Sequence, residues 1–196
     1  MAPSDRSLWP EKWSECAKSW ESNFPPPLWR HVLWNDEDLD SFVSNNFPEF
    51  YPIYRKYPRQ IQRVDMARYM ILFKHGGIYV DMDFECFRDF YNTLNHSKVN
   101  LAESPYKHNE NLHNSLMASP ERHPFWLSVI NKARSVCDIQ DVLTSTGPRL
   151  LDMAYEDDSS SVHILPYKFY NPSIYEDKEF NNKDVFCRHF TTRVFG

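Results

Sequence analysis

The chain has 196 residues, 41% of them apolar, enough to bury one sizeable core and short of room for two, so residues 1–196 read as a single domain. A net charge of -5 and the lack of any Lys/Arg cluster leave no electrostatic footprint for nucleic acid, and small molecules or neutral polymers are the expected partners. The longest purely apolar run, Tyr69–Phe73, is far below the roughly 20 residues that span a bilayer, and MAPSDRSLW has no basic-then-apolar leader pattern, so a soluble, cytoplasmic chain is expected.

Pro10–Ser22 reads as a helix opened by proline, with Trp13, Ala17 and Trp20 along one stripe and Asn23 as its stop. FPPP then breaks the chain, Leu28–Trp34 is predicted as a strand, and Asp36 is expected to cap a short helix carrying Leu39, Phe42 and Val43. Phe47–Tyr57, rich in aromatics and bounded by prolines, reads as a further short helix. Ile61–His75 has a clear helical pattern, with Val64, Ala67 and Ile71 on its core face, and Gly76 is expected to end it in the left-handed conformation. Val99–Glu103, Ser115–Ser119, Val162–Leu165 and Val185–Phe190 are predicted strands, and Pro124–Val136 a helix. This alternation argues for the α/β class. Glu156–Ser161 is a low-complexity patch, read as an acidic loop.

Cys16, Cys86, Cys137 and Cys187 are scattered, without a C-x-x-C pair, and read as free buried thiols, with two disulfides as the open alternative. Asn95-His96-Ser97 fits a glycosylation sequon, a pattern short enough to arise by chance. Glycine is more informative. The chain has only four, Gly76, Gly77, Gly147 and Gly196, so no glycine-rich phosphate cradle can be written. A phosphate would have to be held by a helix N-terminus, basic side chains or a metal ion.

The stretch GGIYVDMDFE, Gly76–Glu85, sharpens that last option. As one strand, Ile78–Glu85 would place Tyr79, Asp81, Asp83 and Glu85 on one face, with neighbouring carboxylates about 7 Å apart and repelling by roughly 2 kcal/mol. Water on a solvated edge would offset that repulsion, and so would a cation. An Asp-x-Asp at a strand end offers two hard oxygen ligands side by side, suited to Mg²⁺ or Mn²⁺ bridging to a diphosphate. Upstream, Asp65 and Arg68 share a helix face. The bland interpretation is a surface ion pair worth a few tenths of a kcal/mol. The sharper one has the glycine turn bring that helix end back beside the acidic strand, where carboxylate and guanidinium would grip sugar hydroxyls.

The span Gln62–Phe87, QRVDMARYMILFKHGGIYVDMDFECF, resembles the core of the Asp-x-Asp sugar transferases of glycosyltransferase family 32, which includes Golgi mannosyltransferases, and is similar to the catalytic domain of clostridial glucosylating toxins. The family pattern falls on Asp65, Arg68, Gly76, Gly77, Tyr79, Asp81 and Asp83. Flanking stretches such as HNSLMASPERHPFW and TGPRLL resemble later motifs more weakly. The resemblance implies a GT-A fold with a Rossmann-like mixed sheet flanked by helices, a divalent cation (Mn²⁺ or Mg²⁺), and transfer with retention. The donor would be a nucleotide sugar of the GDP-mannose or UDP-hexose type, the acceptor a glycan, lipid or protein. By the same resemblance Asp83 binds the metal, Asp81 holds the metal shell or the ribose, Asp65 and Arg68 position the sugar, Tyr79 packs near it, and Asn114 faces the reacting centre.

Two departures accompany the match. The family's first strand, of the type I-P-K-I-I-H-Q-x-W, is expected to be lacking here, with the chain starting at the helix after it. The family's closing H-H-x-x-x-S-W is replaced by CRHFTTRVFG, where His189 can stand for the second His as a metal ligand and Arg193 for a phosphate contact. An upstream anchor on a longer protein would move the expected location to the Golgi lumen. Two rivals are weighed. Aspartate-nucleophile phosphatases also carry D-x-D, but have Thr or Val where Phe84 stands. A non-catalytic glycosyltransferase-fold module would bind sugar or nucleotide without turnover.

Overall fold

The computed structural model describes residues 5–173 and 183–190. Helix α1, Glu11–Asn23, starts after Pro10 and buries Trp13, Cys16 and Trp20. The Leu28–Trp34 segment does not form the predicted strand. Leu28 lies in a turn after the prolines, and residues 29–35 run without ladder partners among the described residues. Aromatic edges hold this segment instead, Trp29 against Phe24 and Trp34 against Phe42, while His31 Nε2 meets the Phe24 carbonyl at 2.7 Å.

Helix α2, Asp36–Asn46, is capped by Asn35 and not by Asp36. Asn35 accepts from the Asp38 amide at 2.9 Å while Asp38 accepts from the Asn35 amide at 3.1 Å, which leaves Asp36 one position inside, at the positive end of the helix dipole. Helix α3 is Tyr51–Lys56. Helix α4, Gln60–His75, buries every residue from Val64 to Leu72, including Asp65 and Arg68, and is the central helix of the molecule. It stops at Gly76, whose φ of +62° and ψ of -153° lie outside the left-handed helical well, in a region that essentially only glycine enters. A Cβ there would stand 2.6 Å from the Glu121 nitrogen and 2.8 Å from the Ser119 carbonyl oxygen, so space as well as conformation demands glycine.

Strand β1 is Gly77–Val80 and β2 is Phe84–Cys86. The single predicted strand Ile78–Glu85 is therefore two, broken at Asp81-Met82-Asp83, where the Phe84 amide bonds the Asp81 carbonyl at 3.1 Å. The break has a cause in pairing, since β1 and β2 lie in different sheets. Strand β3 is Val99–Glu103, as predicted, and β4 is Leu112–Ser119, three residues longer at its start than predicted. Helix α5, Phe125–Ser135, matches its expected span within a residue at each end. The short α6, Val142–Ser145, and α7, Pro148–Asp157, follow, and α7 absorbs the start of the supposed acidic loop. Strand β5 is Val162–Leu165, α8 is Tyr167–Tyr170 and β6 is Cys187–His189.

The central sheet has the order β1-β4-β3-β5, antiparallel except for the parallel β3/β5 pair, and β2 and β6 form a separate antiparallel pair. Alternation divides its two faces. Val99, Leu101 and Met117 enter the core with α4, α5 and α7, while Ala102, Leu116 and Ala118 enter a second cluster with Trp20, Phe84 and Phe90. A mixed sheet with helices packed about it is the α/β arrangement the sequence implies. No helix among the described residues is long and apolar enough to cross a membrane.

Candidate active site

The β3/β4 register shifts by three residues between Leu101 and Ala102, so that Leu101 pairs with Met117 but Ala102 with His113. Asn114 and Ser115 fall in this irregularity, free of regular β3 partners, and their carbonyls turn to other uses. The Ser115 carbonyl accepts from the Asp81 amide at 2.9 Å, extending β1 by one bond to the position where the chain breaks away. The Asn114 carbonyl accepts from Arg68 Nη1 at 2.8 Å.

Around that point the side chains form a buried network. Arg68 Nη2 lies 3.1 Å from Asp65 Oδ1, with the two side chains only 4% and 5% exposed, and Arg68 Nη1 lies 3.4 Å from Asp81 Oδ1. The surface-pair interpretation of Asp65 and Arg68 is thereby overturned, because α4 is enclosed on all sides. Asn114 Nδ2 donates to Asp65 Oδ1 at 3.0 Å and Thr146 Oγ1 to Asp65 Oδ2 at 3.2 Å, while Tyr79 donates to Asp81 Oδ1 at 2.8 Å with the Arg68 guanidinium 4.8 Å above its ring. Burial pushes the Asp65 carboxyl up to about 6, reinforced by the Asp81 charge and opposed by Arg68 and by the Thr146 and Asn114 bonds. Although burial works against its charge, Arg68 is held protonated by Asp81 and the groups around it. Its Nε is buried with no hydrogen-bond partner among the described residues.

Asp83 turns to β6, where His189 Nε2 lies 3.0 Å from its Oδ1, and the His189 ring stacks on Phe84 at 5.1 Å. One ligand atom from each of Asp81, Asp83 and His189 falls within 4.8 Å of the others. Two carboxylates and an imidazole are a donor set that Mn²⁺ accepts readily and Mg²⁺ less so. The Tyr79 and Arg68 bonds both fall on Oδ1 of Asp81, so its Oδ2 is available to a cation. Glu85 does not join them. It pairs with Lys12 at 2.7 Å, so the row of three carboxylates on one face does not exist.

The structure thus brings together Asp65, Arg68, Tyr79, Asp81, Asp83, Asn114 and His189. Arg193 lies outside the described residues. Sequence reasoning missed Thr146 and His113, although TGPRLL and HNSLMAS contain them. The His113 ring meets His189 at 5.4 Å, and burial, aided by His189 and Arg68, pushes its imidazole down to about 3, so it is neutral. Arg68, Tyr79, Asp81, Asp83 and His189 all border a cavity of about 870 Å³, whose lining also includes Trp13, Trp20, Trp29 and Trp34. That volume is within the range of small-molecule sites.

Residues 10–100, the span that holds Asp81 and Asp83, match the profile of the glycosyltransferase sugar-binding region containing the DXD motif. Its curated relatives include inositol phosphoceramide mannosyltransferase 3 of Schizosaccharomyces pombe, 34% identical over 151 residues that make up 74% of this chain and 41% of the relative. Mannosyl phosphorylinositol ceramide synthase CSH1 of Saccharomyces cerevisiae is 31% identical over 165 residues, 76% of this chain and 43% of that protein. The chain spans less than half the length of either. The solved PaToxG glycosyltransferase overlays 64% of this chain and 45% of its own at a TM-score of 0.49 and 20% identity.

Proposed function

We propose that this chain is a metal-dependent retaining glycosyltransferase, which moves a sugar from a nucleotide-sugar donor of the GDP-mannose or UDP-hexose type to a glycan, lipid or protein acceptor. The observation that carries this is the convergence of Asp81, Asp83 and His189 with Arg68 on one cavity, with Asp65 buried behind Arg68 as its partner. The mannosyltransferase and mannosyl phosphorylinositol ceramide synthase relatives favour mannose as the sugar.

Asp81, Asp83 and His189 would hold the cation, and a bound Mn²⁺ or Mg²⁺ would supply charge to neutralise the diphosphate leaving group. Arg68 is oriented by Asp65, Asp81 and the Asn114 carbonyl before any ligand arrives, and its spare Nε–H is a donor for a sugar hydroxyl or a phosphate oxygen. Asp65, ionised at neutral pH, would accept from a sugar hydroxyl while Asn114 and Thr146 fix its plane. Retention through attack on the leaving-group face uses a donor phosphate oxygen as base, so no protein nucleophile is required.

The test is incubation with a panel of GDP- and UDP-sugars, with and without Mn²⁺, following release of nucleoside diphosphate. Metal-dependent release is expected. Metal-dependent binding without release would favour the non-catalytic module, and no binding of any donor would overturn both.

A further inference from the structure

The four cysteines are free, yet two of them face each other across the small sheet. Strands β2 and β6 run antiparallel with Cys86 opposite Cys187. The Phe190 amide bonds the Asp83 carbonyl at 2.9 Å, and the Phe87 amide bonds the Phe186 carbonyl at 2.8 Å. Those bonds make the Asp83/Phe190 and Phe87/Phe186 pairs hydrogen-bonded, and alternation along the ladder leaves Cys86/Cys187 at a non-hydrogen-bonded position. There the two Cα atoms of a regular pair stand about 4.5 Å apart with side chains on the same side. A disulfide accommodates Cα separations of about 4.4 to 6.8 Å, so the backbone is already in place. Both residues belong to the same buried cluster, at 2% and 0% exposure. At present the Cys86 thiol bonds the Arg88 carbonyl at 3.4 Å and the Cys187 thiol the Tyr170 carbonyl at 3.2 Å, so pairing them requires each thiol to leave its carbonyl.

We propose that Cys86 and Cys187 are a cross-strand disulfide site, oxidised when the chain folds in an oxidising environment, which clamps the strand carrying His189 onto the strand that follows Asp83. Each thiol gives up one proton and one electron to an external disulfide, either oxidised glutathione or a protein disulfide carrier. That disulfide is reduced to two thiols as the new S–S bond forms. Burial shields both sulfurs in the folded chain, so the exchange takes place before the cluster closes. The bland alternative is that the two cysteines are small apolar fillers. It predicts no bond under the same conditions. Cys16, on α1, and Cys137, just after α5, have no cysteine opposite them in the sheets.

The experiment is to unfold and reduce the full chain, refold it in a mixture of reduced and oxidised glutathione, and map its peptides without reduction. The expected result is one linked peptide pair joining Cys86 to Cys187, with Cys16 and Cys137 still alkylated as free thiols. Closing a loop of about 100 residues should also raise the melting midpoint by roughly 5 to 15 °C over the reduced protein. Cys86→Ala and Cys187→Val, each alone, should abolish the dependence of melting on reductant, and one conservative variant suffices if the other does not fold. Four free thiols after refolding to a cooperative melting transition, or a link that joins any other pair, would overturn the proposal.

Discussion

Replacing Arg68 with Met keeps most of its length and removes its charge from a position where three groups depend on it. Asp65 has a carboxyl only 5% exposed, and among the described residues Arg68 is the one cation within bonding distance of it. Breaking one member of a buried pair generally costs about 3 to 5 kcal/mol, because the surviving charge is left uncompensated. Asp65 can limit that loss by taking a proton. Its pKa in the intact protein is about 6, and Arg68 is what holds it down, so Arg68→Met must raise it further. The sign follows from proton counting. Above the unfolded value near 3.8 and below the folded value, the native state binds more protons than the unfolded state, so stability falls as pH rises through that window. In the unmodified chain the fall ends near pH 6 and amounts to about 3 kcal/mol, as order-of-magnitude linkage. In Arg68→Met it continues past pH 6. The variant should therefore lose little against wild type at pH 5 and on the order of 3 kcal/mol at pH 8. Urea unfolding of chelator-treated protein between pH 5 and 8.5 measures this, with Asp65→Asn/Arg68→Met as the control that abolishes the widening. A loss of equal size at every pH would refute the coupling.

Asp83→Asn should remove Mn²⁺-dependent donor binding and turnover while shifting the melting midpoint little, since it deletes one hard ligand without changing volume; Mn²⁺ titration at unchanged affinity would exclude Asp83 as a ligand. Asp65→Asn should weaken nucleotide-sugar binding by about 1 to 3 kcal/mol and bare nucleoside diphosphate much less, and calorimetry finding equal losses would remove Asp65 from the sugar subsite. Gly76→Ala should destabilise more than Gly77→Ala. Both have positive φ, of +62° and +89°, but only the first would push a Cβ into backbone atoms, so equal urea midpoints would contradict the close approach. Base selectivity should be weak, within roughly tenfold between UDP- and GDP-sugars, because tryptophans lining the cavity can stack any base whereas discrimination needs hydrogen-bond readout. Tight binding of one base alone would show polar groups at work there.

Much of the site was legible because its residues lie close in sequence. Asp65 and Arg68 are one helical step apart, and Gly76 allows a turn that no other residue fits, so α4 and β1 fix each other within a span of about 20 residues. The elements read wrongly are those whose state depends on a partner far along the chain. Leu28–Trp34 has the apolar and aromatic composition of a strand but no ladder beside it among the described residues, and aromatic contacts settled its course. Ile78–Glu85 alternates perfectly, yet β1 pairs with β4 and β2 with β6, and alternation within one segment carries no information about which sheet each half joins. Helix α7 carried a usable signal, Gly147 followed by Pro148 at its first turn, and was missed because its acidic end resembles a loop.

The break after Val80 is also what makes the site chemically useful. Had the strand continued, Asp81, Asp83 and Glu85 would have stood in one row about 7 Å apart, each repelling the next and none with a fixed partner. The irregularity in β4 ends the β1 ladder at Asp81, and the turn that follows gives each carboxylate its own environment. Asp81 is held by Tyr79 and Arg68, Asp83 by His189, and Glu85 is removed to Lys12. Repulsion between the first two is thus met partly by the Arg68 guanidinium, and the remainder falls to a cation. A site arranged in this way can fold before metal arrives and still gain from binding it.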